Sequence, residues 1–496
     1  MTALPAQNPP AAARVPISEL VDRAQSWLEI EDPRRALSAY SQVRAVAPED
    51  PAGLLGMAET YLFLDRPGLA LRYIEELRRI DPDRHDGIGL HVRILIRAGE
   101  FERALNVSTE AIQEVERPGE ELMAAHASAL FRVQRTVDAA GVYQRLLLRV
   151  PRHAEAHLRL GSGLLPPRHA PYVKSISDGI RLLRGGELDA AAEMFEDALE
   201  DHPGHPIAHR LLGEVLYGQR FARSIVREVE CFRRLEEGTP TPSLAGLPVE
   251  EFLPGLAELT GRRREVAIRT VKLFGSLLPR IVSLRGRHDL LDEDERTTDA
   301  PGRANLRGKR TFDGRVWDDV RGMGGLRAAT GVEALDEAAR FEFNTLSHEL
   351  AHQAHFFAFT PQQRQEVTKL FEAAFRNGRC LDFYAASNEA EYFGQGVEAF
   401  VSLAKRPGCE KTHGHTRFEL LRVDPDLYHF IANIVEFDPL ADPSDRAELL
   451  PAAVHAGLLS GRPEDAVVAA RMMDMGWERD RLLSLARRAH AISLTY

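Results

Sequence analysis

The sequence predicts a multidomain, mostly helical chain: an all-α solenoid of helical hairpins, then a mostly helical α+β domain. Three observations predict it. Alanines recur every 34 residues, as Ala36, Ala70 and Ala104. A run dense in glycine and proline separates the halves at 237–260. Beyond it, His348, Glu349 and His352 form an H-E-x-x-H segment. The 496 residues exceed one ordinary core, so about two to four domains are expected.

The first half repeats in register. Ala139 follows Ala104 at 35 residues and Ala191 follows at 52. A proline stands twelve residues after four of these alanines, as Pro48, Pro82, Pro151 and Pro203. An aromatic stands four after three of them, as Tyr40, Tyr143 and Phe195. The small alanine lets two helices cross closely, and proline, lacking an N–H, ends the second helix. This pattern resembles the tetratricopeptide repeat over residues 17–236. Each hairpin buries its apolar stripe only against its neighbours, so the units must stack. Near PPRHAPY (166–172) the 52-residue gap implies an insertion or a degenerate unit. The resemblance implies a groove for a protein partner or substrate segment.

The remaining boundaries follow from composition. Residues 1–16 carry Pro5, Pro9, Pro10 and Pro16 and no apolar core, and so read as a disordered tail rather than a signal peptide. Gly238, Pro240, Pro242, Gly246, Pro248 and Pro254 mark 237–260 as a linker. A second domain spans 261–437, and a C-terminal helical segment spans 438–496, broken at SGRPED (460–465). RVWDDV (315–320) reads as a strand, and GMGG (322–325) as a strand edge. The arginine-rich stretch 261–315 reads as a solvated surface.

The chemistry concentrates at NTLSHELAHQAHFFAFTP. On a helix, His348 and His352 lie one turn apart on one face, so both imidazoles reach one ion. Glu349 is rotated about a hundred degrees away and approaches a metal-bound water without being a ligand. A third ligand is needed. His355 lies about 10.5 Å along the axis from His348, too far for one ion. Glu391 suits a ligand from a second helix, yet it also fits a capping box with Asn388. Glu389 and Glu398 stay open beside it, Glu398 also as a group behind the ligands. HGH (413–415) lacks partners at ligand spacing.

Tyr384 and the run Asn388, Glu389, Ala390, Glu391, Tyr392, Phe393, placed after HELAH, resemble the catalytic domain of the anthrax lethal factor-like zinc peptidases. The likeness covers residues 312–405, and RGMGG adds to it. It implies a zincin-like domain of the gluzincin type with one zinc ion per chain, held by His348, His352 and Glu391. It also implies Glu349 as general base and Tyr384 as the phenol that stabilises the transition state. The family often carries a carboxylate one turn after the third ligand, where this chain has Gln395.

Composition sets the limits. A net charge of −11 argues against nucleic acid as the main partner. No apolar run reaches the roughly 18 residues of a membrane helix, so the expected location is cytoplasmic with no membrane partner. Cys231, Cys380 and Cys409 are odd in number and far apart, as in a reducing compartment. The leading expectation is a zinc-dependent endopeptidase acting on a protein or peptide. Two alternatives stand beside it: an interaction scaffold with an inactive or structural zinc site, and a zinc amidohydrolase acting on a non-peptide amide.

Overall fold

The computed structural model describes residues 15–82, 84–167, 170–311, 313–408 and 414–493. Only the last two residues of the expected 1–16 tail fall within them.

Four regular hairpins open the chain. They are α1 Ile17–Glu29 with α2 Pro33–Val46, α3 Pro51–Phe63 with α4 Pro67–Ile80, α5 His85–Arg97 with α6 Phe101–Glu114, and α7 Glu120–Arg132 with α8 Thr136–Leu147. Helix starts follow local chemistry. Proline opens α2, α3 and α4, where a missing N–H costs nothing, and Asp32 and Asp50 cap the amides of Arg35 and Gly53. The registered alanines stand on the second helix of each hairpin, and Ala36, Ala70, Ala104 and Ala139 are wholly buried. Tyr40 is buried under Gly56 of the next hairpin, where an added Cβ would land in its ring. Pro48, Pro82 and Pro151 lie just past the ends of α2, α4 and α8.

The 52-residue interval is one interrupted unit. Helix α9, Ala154–Arg159, runs into a π-turn at Leu160–Leu164 instead of a second helix. The hairpin of α10 Lys174–Arg184 and α11 Leu188–Asp201 is inserted, with Ala191 wholly buried in it. Helix α12, Pro206–Arg223, then packs back against α9. The join is polar: His157 Nδ1 lies 2.8 Å from His209 Nδ1, and the Nε2 atoms reach the carbonyls of Pro151 and Pro203. Burial lowers the pKa of both imidazoles, that of His209 to about 3. Helix α13, Glu230–Gly238, follows.

The expected linker is only partly a connector. Helix α14, Val249–Phe252, and the turn after it bury Phe252, Leu253 and Leu256 in the core of the next domain. These apolar side chains outweigh the glycine and proline around them. Helices α15 Gly261–Lys272 and α16 Leu278–Ser283 lead into a three-stranded sheet of order β1-β3-β2. β1 is Arg287–Leu291, β2 Gly322–Met323 and β3 Arg327–Gly331. β1 runs parallel to β3, and β2 antiparallel.

One expectation fails between β1 and β2, and another, from α15 onward, holds only in part. RVWDDV is not a strand but a 3-10 turn at Trp317–Asp319. Asp318 and Asp319 are both buried and need side-chain partners, which a ladder would not supply. Arg296 grips Asp319 with two bonds of 2.8 Å, and Thr298 donates to Asp318. The arginine-rich stretch is a solvated face only in part: Arg262, Arg264, Arg280, Arg285, Arg307 and Arg310 are exposed, while others are drawn inward. Arg263 binds Asp336 and Glu293, and the buried Arg303 binds Asp289 and the carbonyls of β3.

Helices α17 Glu333–Ala339, α18 Thr345–Gln353, α19 Pro361–Arg376 and α20 Glu389–Val401 complete the central layer. The H-E-x-x-H segment is α18, packed between the sheet and α20. Both its ends are fastened. At the C-terminal end, Gln353 Oε1 lies 2.9 Å from His288 Nδ1, and its amide nitrogen donates to the carbonyls of Arg287 and Leu326. At the N-terminal end, Glu398 of α20 accepts from the amide of Asn344 at 3.0 Å and is paired with Lys405. Glu398 and Lys405 are both essentially unexposed.

Helices α21 Arg417–Val423, α22 Pro425–Ile434, α23 Pro443–Leu459, α24 Pro463–Met472 and α25 Trp477–Ser493 close the chain, with the break at 460–462 as expected. α23–α25 share a core with Cys231, Phe232 and Leu235 of α13. The terminal segment also touches the first hairpins: Arg462 pairs with Asp65, and Arg66 with Glu464. Cys231 and Cys380 are free thiols, while Cys409 lies outside the described residues. Among the described residues no helix is long and apolar enough to cross a membrane.

Two substitutions test this packing by urea unfolding. Gly56→Val drives a side chain into Tyr40 and lowers stability by about 1–3 kcal/mol. Lys405→Met leaves Glu398 buried without its cation and lowers stability by roughly 3–5 kcal/mol.

Candidate metal centre

Helix α18 starts where Asn344 accepts from the Ser347 amide at 3.1 Å. Leu346, Leu350, Ala351 and Ala354 face the core, which turns His348 and His352 together toward α20. The two Nε2 atoms stand 3.0 Å apart. Glu391 comes from the first turn of α20, its Oε2 3.0 Å from His348 Nε2 and 3.7 Å from His352 Nε2. Burial opposes its charge, but the hydrogen bonds and charges of both histidines hold Glu391 well below the usual carboxylate range. Gly394 allows the approach, since a Cβ there would lie 2.8 Å from His348 Cε1 and 3.0 Å from His352 Cε1.

Of the capping box expected at Glu391, only the asparagine half forms. Asn388 does cap α20, but it accepts from the Glu391 backbone amide at 3.0 Å. The Glu391 carboxylate is thereby left for the imidazoles. The competing carboxylates are committed elsewhere: Glu389 pairs with His355 at 3.1 Å, and Glu398 holds Asn344 and Lys405.

The donor set is two imidazole nitrogens and one carboxylate oxygen with separations of 3.0, 3.0 and 3.7 Å. A tetrahedral ion bonded at about 2.0–2.1 Å needs ligand separations of roughly 3.3 Å, so the set fits a zinc-sized ion. Two neutral imidazoles facing at that distance can share only one proton between them, which also suits a cation there. The buried Nδ1 atoms of both histidines have no hydrogen-bond partner, so no neighbour fixes their tautomer.

Glu349 is buried beside the triad without being one of its members. Burial pushes its carboxyl up to about 7, with His352 opposing and Glu391 adding. The edge strand and the residue after it lie against it: a Cβ on Gly322 would stand 3.1 Å from Glu349 Oε1, and one on Gly324 3.1 Å from Glu349 Oε2 and 3.4 Å from His352 Cδ2. Tyr384 is half-buried, its ring centre 6.4 Å from that of His348. Burial, then Glu391 and Glu349, raise its phenol well above the ordinary tyrosine value, so it keeps its proton.

The repeat array holds the loop that carries Tyr384. Phe383 meets Phe101 of α6 edge to face, ring centres 4.9 Å apart. Asp382 caps the amide of Ala385 and pairs with His415 at 3.2 Å. His415 also contacts Glu419 at 3.0 Å; burial opposes its charge, but Glu419 and Asp382 push it up to about 10. His415 therefore has carboxylate partners that the spacing of HGH did not reveal, while His413 lies outside the described residues. Sequence reasoning also missed Gln353, His288, Lys405 and Phe383. Gln353 directly follows the second histidine, and that adjacency was the one available signal.

Comparison with known proteins bears on the array. The tetratricopeptide repeat family model matches residues 21–85, 124–164 and 178–225. A search of curated proteins returned no match. Solved structures with similar chains include a thermophilic tetratricopeptide-repeat protein from Thermus thermophilus, 18% identical, covering 41% of this chain and 100% of its own at a TM-score of 0.30. PilW, a type IV pilus biogenesis factor, is 15% identical and covers 42% of this chain and 89% of its own at 0.29. YrrB, a protein with an unusual peptide-binding site, is 16% identical and covers 40% and 90% at 0.24. The N-terminal region of this chain is built of tetratricopeptide repeats.

Proposed function

We propose that this chain is a zinc-dependent endopeptidase of zincin-like type whose repeats hold a protein substrate or partner. The carrying observation is the convergence of His348, His352 and Glu391 within bonding reach of one ion, with Glu349 beside them and outside the ligand set. These three residues would hold one zinc ion, which when bound supplies Lewis acidity and an acidified water. The rest is the work of the chain. Glu349, shielded from solvent, takes a proton at its carboxylate and returns it to the leaving amine. Tyr384 retains its proton and donates toward the oxyanion that develops on the scissile carbonyl. Strand β2 is one edge of the sheet, the one beside Glu349, so an extended peptide can add beside it. That edge favours a peptide over a small non-peptide amide.

A second reading keeps the repeats as an interaction scaffold and makes the metal structural or idle. It is favoured by the family match, which lies wholly in the array. Against it, structural zinc sites are closed by four protein ligands, whereas the cluster found among the described residues has three.

Elemental analysis and peptide-library cleavage separate the readings. Wild type should carry about one zinc per chain, and Glu391→Ala should lose most of it. Glu349→Gln should keep the zinc and lose cleavage by about a thousandfold or more. Cleavage at the wild-type rate by Glu349→Gln would sink the mechanism. Zinc-loaded wild type that cleaves nothing in the library would leave the scaffold reading.

A further inference from the structure

A cavity of about 920 Å³ lies inside the curve of the array. Helices α1, α3, α5, α7, α9 and α12 form its walls, and residues 406–408 with Arg462 close one side. Guanidinium groups crowd it, and most are matched by carboxylates. Arg97 pairs with Asp65, Arg93 with Glu121 and Glu155, Arg406 with Glu31, and Arg462 with Asp65.

Arg132 and Arg159 are different. Among the described residues neither is within ion-pair distance of a carboxylate, and the Nε of each is cut off from solvent without an acceptor. Glu155, whose charge acts on Arg159, is already engaged by Arg93 at 3.0 Å and by the Tyr143 hydroxyl at 2.8 Å. Both guanidinium carbons stand over one ring, that of Phe131, at 5.8 and 5.2 Å from its centre. Arg132 also lies 5.9 Å from the rings of Phe101 and Phe383. Burial, with Arg159 next, pulls Arg132 down to about 10. A chain with a net charge of −11 has thus gathered two cations at a cavity wall and matched neither. Half-buried charge without a counter-charge is still costly, and the aromatic faces offset only part of it.

We infer that Arg132 and Arg159 form an oxyanion-binding site in the groove, taking a carboxylate or phosphate group carried by a ligand. Two planar donor forks on a common aromatic support suit such a group, because each guanidinium can donate two parallel N–H bonds to it. The ligand enters the concave side of the repeats, and the site does not depend on the metal centre. Arg132 nonetheless touches Phe383, so the oxyanion would bind one residue removed from Tyr384 along the chain.

The test titrates the full chain calorimetrically with inorganic phosphate and with tricarballylate at constant ionic strength. The proteins are wild type, Arg132→Gln, Arg159→Gln and the double variant. Saturable binding to wild type, weakened at least about tenfold in the double variant, is expected. Binding of phosphate alone identifies a phosphate-bearing ligand, and of tricarballylate alone a carboxylate one. Binding of neither by wild type overturns the inference, and so does equal binding by the double variant. Melting temperatures in chloride buffer add an independent sign. An unmatched cation predicts that Arg132→Gln melts at or above wild type and gains nothing from the probe. A lower melting point together with undiminished probe binding would mean that Arg132 serves only to brace the aromatic rings.

Discussion

A nine-residue helix fastened at both ends governs the centre of this molecule. At one end the Glu398 carboxylate receives the Asn344 amide, and at the other Gln353 is tied to His288 and to carbonyls beside the sheet. Both fastenings are buried, so each must be satisfied within the protein. A helix so held cannot rotate about its axis. That restraint, more than any contact at the imidazoles themselves, keeps His348 and His352 turned toward Glu391. The glycines at 324 and 394 complete it by letting the edge strand and α20 approach where any side chain would intrude.

The same restraint reaches outward to the repeats. Phe383 meets Phe101, the Gly408 amide donates to the Phe63 carbonyl at 3.1 Å, and Arg406 pairs with Glu31. On the far side, α13 shares its core with α23–α25. The array is therefore a wall of the second domain as well as a surface of its own. Repeats usually contact only their neighbours in the stack. Here the chain returns from its other end to close against the first hairpins.

Much of this was legible in sequence. The alanine interval located the second helix of each hairpin, and the prolines marked where α2, α4 and α8 end. H-E-x-x-H named two of the three residues that converge, and the resemblance of the run after Asn388 singled out Glu391 as the third. What escaped was of one kind, namely polar residues whose partners lie far away in sequence. Gln353 and His288 are 65 residues apart, and Asn344 and Glu398 are 54 apart. The arginines of 261–315 looked like solvated surface because nothing in their spacing showed which of them the fold would pair with carboxylates, as it does Arg303 with Asp289 and Arg263 with Glu293 and Asp336. RVWDDV looked like a strand because it carries Val316, Trp317 and Val320 in a short run, yet two buried aspartates govern it. The linker was misjudged because Phe252, Leu253 and Leu256 are few among many glycines and prolines.

The division of labour at Glu391 bears on how such a chain diverges. Asn388 caps α20 through the backbone amide of residue 391, which every residue but proline supplies. Folding thus places little demand on the side chain at this position. A lineage could lose the carboxylate through a single codon change and still keep its architecture. Under the proposed zinc reading, relatives that retain an acid there after long divergence are under selection for the ion, not for the helix. Position 391 can therefore separate working copies from inert ones in a way that overall resemblance of shape cannot.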